Sequence, residues 1–256
     1  MNSLNCLLLH GFGGSPFELK ELESFLQNHN ISTLLPCLPG HNTNVNDFAK
    51  TNYSHWLAKA KACLRQLQQD NKPVVVVGFS MGGTLALNLA QEDKVDALII
   101  IAAPVFLTRI FPPLASDWRL FFVPILKHIK PFFPVKASNP QSRQIAPWQG
   151  YEGCVALWPL DSFLKNMKIV KQHLNKITCP LQAIYSITDK TVPLENAYYI
   201  LRHINSSLKQ LCLLKIRENI TSAHMLPTHQ ETKLFVFHNV LEFIKNFQKN
   251  FYQGAN

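Results

Sequence analysis

VVVVGFSMGG, residues 74–83, runs four valines into a glycine, a phenylalanine, a serine, a methionine and two more glycines. A chain with 10 glycines in 256 residues places three of them around this one serine. Four β-branched residues in a row suit a strand buried on both faces, and the Thr84-Leu85-Ala86-Leu87 that follows is apolar and helix-forming. The stretch predicts a sharp strand-to-helix turn with Ser80 at its apex. A serine there must take a backbone conformation few non-glycine residues tolerate, and side chains two positions to either side would collide as strand and helix cross. Glycine at 78 and 82 removes that collision. The turn exposes the Ser80 hydroxyl at the carboxyl edge of a sheet and turns the Met81 N–H, at a helix N-terminus, toward any negative oxygen formed there. This geometry favours attack on a carbonyl; the plain alternative is a tight glycine turn with an incidental serine.

Outward from this turn, five more apolar runs read as buried strands: Leu4–Leu9, Ile31–Leu35, Ala97–Ala102, Leu181–Ser186 and Leu211–Ile216. Segments with helical spacing separate them, among them Phe17–Asn28, Trp56–Leu67, Met81–Gln91 and Val192–His203, and Phe235–Phe247 closes the chain. Alternation of the two predicts one α/β domain, a three-layer sandwich around a mostly parallel sheet of about six strands. The gap from Pro104 to Pro180 carries no strand signal and is rich in proline and aromatics, which predicts a helical insertion, about 104–176, over one edge of the sheet.

Composition narrows the function. No uncharged apolar stretch approaches the roughly 18 residues of a membrane span, and Met1–Asn5 with Leu7–Leu9 is too short for a signal peptide. Six cysteines without a C-x-x-C pair read as reduced thiols of a cytoplasmic protein, without metal or disulfide roles. The net charge of +9 is unevenly spread: residues 104–176 hold 10 Lys/Arg and 3 Asp/Glu, or +7, whereas residues 1–103 hold 7 and 8, or −1. No nucleic-acid recognition motif accompanies the basic residues, so nucleic acid is not an expected partner.

A second glycine cluster, His10-Gly11-Phe12-Gly13-Gly14, follows the first strand directly. It lacks G-x-G-x-x-G, and no Lys-Ser/Thr follows it, which argues against a phosphate loop. It fits a loop that lends the Phe12 N–H to an oxyanion opposite the Met81 N–H. A serine hydroxyl needs a base, and the base a carboxylate that fixes its tautomer. Asp189 stands just past the Leu181–Ser186 strand and is the candidate acid, with Asp161 and Glu195 as weaker rivals and an ordinary helix cap as the bland reading. His224 stands on the loop after the last strand and is the candidate base. His55, His128, His173, His203, His229 and His238 are expected on helices, His29 before the second strand, and His10 and His41 in loop packing.

With LLLHGFGGS, PGHN, VVGFSMGG, ITDKTVP and SAHML in this order, the chain resembles the α/β-hydrolase superfamily, and within it bacterial carboxylesterases and monoacylglycerol lipases. The resemblance implies a Ser80, Asp189, His224 triad, Phe12 and Met81 as oxyanion donors, and no metal or organic cofactor. Two departures stand out: Ala223 replaces the glycine usual before the histidine, and only three residues precede Leu4, so the antiparallel strands that usually lead the sheet are expected to be missing.

The 104–176 segment carries the clue to substrate. Trp118, Phe121, Phe122, Ile125, Leu126 and Ile129 fall at helical spacing after Ser116 as cap, with Pro124 expected to kink the helix. Phe163, Met167, Val170 and Leu174 form a second stripe beside Lys165, Lys168 and Lys171. One reading packs these faces on the core; the other makes them a lid over an acyl-chain tunnel that rests on anionic lipid. The expected substrate is a small ester with an apolar acyl chain. A thioesterase or acyltransferase on acyl-CoA or acyl carrier protein, a serine aminopeptidase and a non-catalytic binding protein remain alternatives; the aminopeptidase is disfavoured because the segment has only Asp117, Glu152 and Asp161 to meet an ammonium.

Overall fold

A computed structural model describes residues 4–109, 114–115 and 117–253. β1 (Asn5–Leu9) leads through α1 (Phe17–Asn28) to β2 (Ser32–Leu34); α2 (Val45–Ala49) and α3 (Tyr53–Gln68) precede β3 (Val74–Phe79), and α4 (Met81–Glu92) precedes β4 (Ala97–Ile101). The next stretch contains β5 (Thr108–Arg109) and β6 (Leu114–Ala115), α5 (Val123–Ile129), β7 (Phe132–Pro134), α6 (Pro140–Ile145), β8 (Cys154–Ala156) and α7 (Leu157–Gln172). β9 (Leu181–Ser186), α8 (Glu195–His203), β10 (Lys209–Leu214) and α9 (Lys233–Gln253) complete it.

Six strands form one sheet in the order β10-β9-β4-β3-β1-β2, and every pair in it is parallel. The continuous apolar runs follow from helices covering both faces. Period-two alternation divides the side chains between two cores: Leu7, Leu9, Val74 and Val76 point into the cluster that includes residues of α3, α4 and α7, while Cys6, Leu8, Val75 and Val77 point into the one shared with α1 and α9. From β1 the chain steps out to β2 and returns on the other side of β1 to β3. The carboxyl ends of β1 and β3 therefore flank the topological switch point, where open α/β sheets form their crevice.

Between β4 and β9 the structure corrects the reading of a strandless insertion: β5 pairs with β6 and β7 with β8, both antiparallel. Strands of two or three residues are too short to show a period in sequence. The apolar run from Trp118 also divides, into a 3₁₀ turn at Trp118–Phe122 and α5. Asp117 caps the turn, its carboxylate accepting from the Arg119 N–H at 3.0 Å; Ser116 lies outside the described residues. Pro124 stands in the first turn of α5, where its missing N–H has no intrahelical partner to lose, so it starts a helix instead of kinking one. The second stripe packs on the core, with Phe163, Met167, Val170 and Leu174 all buried. The first does not: Trp118, Phe121, Phe122, Ile125 and Ile129 are exposed.

Candidate active site

The β3–α4 turn takes the shape that its glycines predict. Ser80 has φ 53° and ψ −121°, a strained conformation costing about 1–3 kcal/mol, and its N–H donates to the Ile101 carbonyl at 2.8 Å. A Cβ on Gly78 would run into the Gly82 carbonyl, and one on Gly82 into the Leu9 carbonyl. The start of α4 thus presses against the end of β1, bringing the first amide of the helix, that of Met81, beside the loop that carries Phe12.

Two neutral histidines brace that loop. His10 is buried; its Nδ1–H donates to the Gly11 carbonyl at 3.0 Å, so its Nε2 is free to accept from the Leu38 N–H at 3.1 Å. His41 accepts from the Gly13 N–H through Nε2 at 3.2 Å. Burial, helped for His10 by His41, drives their pKa values down to about 3 and about 4, which keeps both rings uncharged acceptors. Both belong to loop packing as read from sequence, but as hydrogen-bonding props, not as fillers.

The three residues singled out from separate strand ends meet at one point. His224 Nε2 lies 3.0 Å from Ser80 Oγ, and His224 Nδ1 lies 2.7 Å from Asp189 Oδ2. A carboxylate only accepts, so Nδ1 carries the proton and Nε2 faces the hydroxyl as acceptor. Asp189 is held in turn: its Oδ1 accepts from the Thr191 and Val192 N–H groups at 2.7 and 2.9 Å. Burial weakens the charged form of His224, but the charge and hydrogen bond of Asp189, with help from Glu18, outweigh it and raise the pKa above its ordinary 6.5. Of the rival acids, Asp161 is engaged elsewhere, bridging Lys127 and Lys165 at 2.6 and 2.9 Å, and Glu195 begins α8.

The loop bearing His224 has its own scaffold. The Lys190 N–H donates to the Ser222 carbonyl at 2.9 Å, tying acid loop to base loop. Glu218, its pKa lowered to about 2 because hydrogen bonds from Thr221, His229 and Ile220 overcome burial, gathers the loop around one carboxylate. His229 therefore sits in this loop and not on a helix as expected, its Nε2 3.0 Å from Glu218. Ala223, in the position usual for glycine, adopts φ 56°, at a cost of order 1 kcal/mol.

Above Ser80 and His224 a cavity of about 330 Å³ opens, walled by Phe12, Leu107, Val155, Leu160, Phe163 and Met225 among others. Two polar residues of its wall escaped sequence reading, Glu18 and Trp148. The Glu18 carboxyl accepts from the Gly11 N–H at 2.6 Å and from the Trp148 indole N–H at 2.9 Å, and burial raises its pKa to about 7 against those hydrogen bonds and the pull of His224. A glutamate in the first turn of a helix looks like a dipole partner in sequence, and nothing in the chain links it to a tryptophan 130 positions away. Among the described residues no group of three or more His, Cys, Asp or Glu could hold a metal ion.

Sheet order, strained serine turn and convergent loops define an α/β hydrolase. The profile of the alpha/beta hydrolase family matches residues 6–193, and the chain belongs to that family. It is 29% identical over 215 residues to the thermostable monoacylglycerol lipase of Bacillus sp. (strain H-257), covering 82% of this chain and 80% of that one. To the carboxylesterase of Bacillus subtilis (strain 168) it is 20% identical over 240 residues, or 93% of this chain and 91% of the other. Its fold superposes on that of a metagenome-derived lipolytic enzyme with a TM-score of 0.81 at 22% identity, covering 96% of both chains. The protein is an α/β hydrolase of the esterase/lipase type.

Proposed function

We propose that this hydrolase cleaves carboxylic esters of short to medium acyl chains, monoacylglycerols among them, through an acyl-enzyme on Ser80. The observation that carries the reading is the unbroken hydrogen-bond chain from Ser80 through His224 to Asp189 at the floor of an apolar cavity. His224 takes the Ser80 proton as Oγ attacks the ester carbonyl; the Met81 and Phe12 N–H groups receive the oxyanion; His224 then protonates the departing alcohol. Asp189 keeps the imidazole oriented and stabilises its charged form. Water, activated by the same His224, releases the acid and restores the serine. No cofactor enters these steps.

At about 330 Å³ the cavity stands at the small end of ligand pockets, which favours medium over long chains. The test compares p-nitrophenyl acetate, octanoate and palmitate, with octanoyl-CoA alongside, and labels Ser80 with a fluorophosphonate. Octanoate turnover above palmitate, with the label on Ser80, is expected. Activity confined to acetate would discard the acyl-chain assignment, faster thioester cleavage would move the enzyme to acyl-CoA or carrier-protein substrates, and failure to label Ser80 would remove the triad.

A second reading concerns the 104–176 segment, which we treat as a lid. Trp118, Ile125 and Ile129 are 67%, 63% and 74% exposed on a segment of net charge +7, a combination that suits peripheral contact with anionic lipid. Among the described residues no helix is long and apolar enough to cross a membrane. We place the protein in the cytoplasm, a reading that rests on six cysteines without a C-x-x-C pair.

A further inference from the structure

Among the described residues, Glu18 is the one ionisable group in the cavity wall that the reaction above leaves without a task. It is 2% exposed, it belongs to the first turn of α1, and the two N–H groups its carboxyl accepts from both lie outside α1. One belongs to Gly11 in the loop after β1; the other belongs to Trp148 in the lid. The contact is close-packed: a Cβ on Gly11 would stand 3.0 Å from Glu18 Oε2 and 3.4 Å from the Cβ of Ser80.

Gly11 is pinned on both sides. Glu18 takes its N–H, and the His10 ring takes its carbonyl at 3.0 Å. In a trans peptide the carbonyl and the following N–H point in opposite directions. With the Gly11 carbonyl turned to His10, the Phe12 N–H is therefore turned the other way. The Gly11 N–H belongs to the His10–Gly11 peptide, and the hold on the carbonyl side comes only from the adjacent residue. Glycine has the loosest backbone of any residue, so without the Glu18 anchor His10 and Gly11 can shift together about the bonds of Gly11 and carry the Phe12 N–H with them. An oxyanion donor works only when it is aligned before the charge forms.

We propose that Glu18 is a positioning residue for the ester hydrolysis described above: fastened to the lid through Trp148, its carboxylate holds the Gly11 peptide so that the Phe12 N–H meets the oxyanion. The carboxylate suits the task because it offers one acceptor oxygen to each of two donors. Glutamine offers only one; its amide N–H₂ would confront either the indole N–H or the Gly11 N–H. Alignment of the oxyanion donor thus depends on a seated lid. The inference rests on the esterase reading, since it presupposes Ser80 as nucleophile.

The experiment uses Glu18→Gln, Trp148→Phe and the double variant at pH 8, with p-nitrophenyl octanoate turnover and the rate of Ser80 phosphonylation as readouts. Because alignment acts in the transition state, Glu18→Gln should lower kcat by about tenfold or more and leave KM within about twofold, with the phosphonylation rate falling in parallel. Trp148→Phe should lower kcat less. The double variant should be faster than Glu18→Gln alone, because removing the indole N–H relieves the donor clash and lets the glutamine oxygen serve Gly11. Singles that multiply in the double variant, a loss confined to KM, or a Glu18→Gln enzyme within about twofold of wild type in kcat would overturn the proposal. Should Glu18→Gln not fold, Trp148→Phe decides: kcat reduced at constant KM supports the strut, and unchanged kcat refutes it. A wild-type enzyme that neither turns over ester nor labels at Ser80 would remove the functional reading and this one with it, whereas normal Ser80 chemistry that ignores Glu18 would remove this one alone.

Discussion

At the residue scale, Ser80 and His224 each accept an unfavourable state for the sake of the other. Ser80 keeps φ at 53°, and His224 keeps an imidazole inside the protein with a carboxylate at 2.7 Å. Replacing Ser80 with Ala should lower kcat by about 10⁴ to 10⁶ while the circular dichroism spectrum is unchanged, since the helix and sheet lose only a hydroxyl. Retained turnover in that variant would break the assignment. The pH profile follows from the same pair. As the proposed base, His224 has to be neutral to accept the serine proton, and its pKa lies above the ordinary 6.5. Activity should therefore be full at alkaline pH and fall as the pH drops through a value above 6.5, read as kcat/KM for a non-ionising ester. Glu18 titrates at about 7 in the same cavity, so the two ionisations are coupled, and Glu18→Gln should leave a profile with a single acid limb.

At the element scale, the functional turn depends on how closely α4 meets β1. Only a hydrogen at position 82 fits beneath the Leu9 carbonyl, so Gly82→Ala must push the helix start away from the loop bearing Phe12. We expect a loss of about 3 kcal/mol or more in urea unfolding, with activity per folded molecule also reduced because the two proposed oxyanion donors would separate. A variant of wild-type stability and rate would show that the helix start is not the element that assembles the site. The elements of the 104–176 segment divide by the same kind of contact. α7 turns Phe163, Met167 and Val170 into the core, whereas the 118–129 stretch, broken by the Pro124 helix start, buries Val123 but leaves Trp118, Phe121, Phe122, Ile125 and Ile129 in solvent.

At the scale of the whole molecule, charge and apolar surface coincide. The hydrolase body up to residue 103 is nearly neutral at −1, and the 104–176 segment carries +7 together with the exposed Trp118, Ile125 and Ile129. If that surface meets lipid, the protein should float with anionic liposomes at low salt and be released as ionic strength rises and the Debye length shortens. An Ile125→Ser, Ile129→Ser double variant should lose flotation and keep turnover of soluble esters. Absence of flotation at low salt would confine the enzyme to soluble substrates.

Whatever is local and repeated in this protein could be read from the chain. Uninterrupted apolar runs announce strands covered on both faces, glycines two positions either side of Ser80 announce the turn, and Asp189 and His224 stand on the loops that follow the last two strands of the sheet. Each of these signals lies within a few residues, where covalent geometry and side-chain sterics act directly. Folding alone decided what depends on distant partners: which faces of the 104–176 segment are buried, that β5 pairs with β6 and β7 with β8, that His229 sits in a loop beside Glu218 and not on a helix, and that Glu18 finds Gly11 on one side and Trp148 on the other. A hydrogen bond across 130 residues depends on where the sheet sets down each loop, and no spacing along the chain encodes that position.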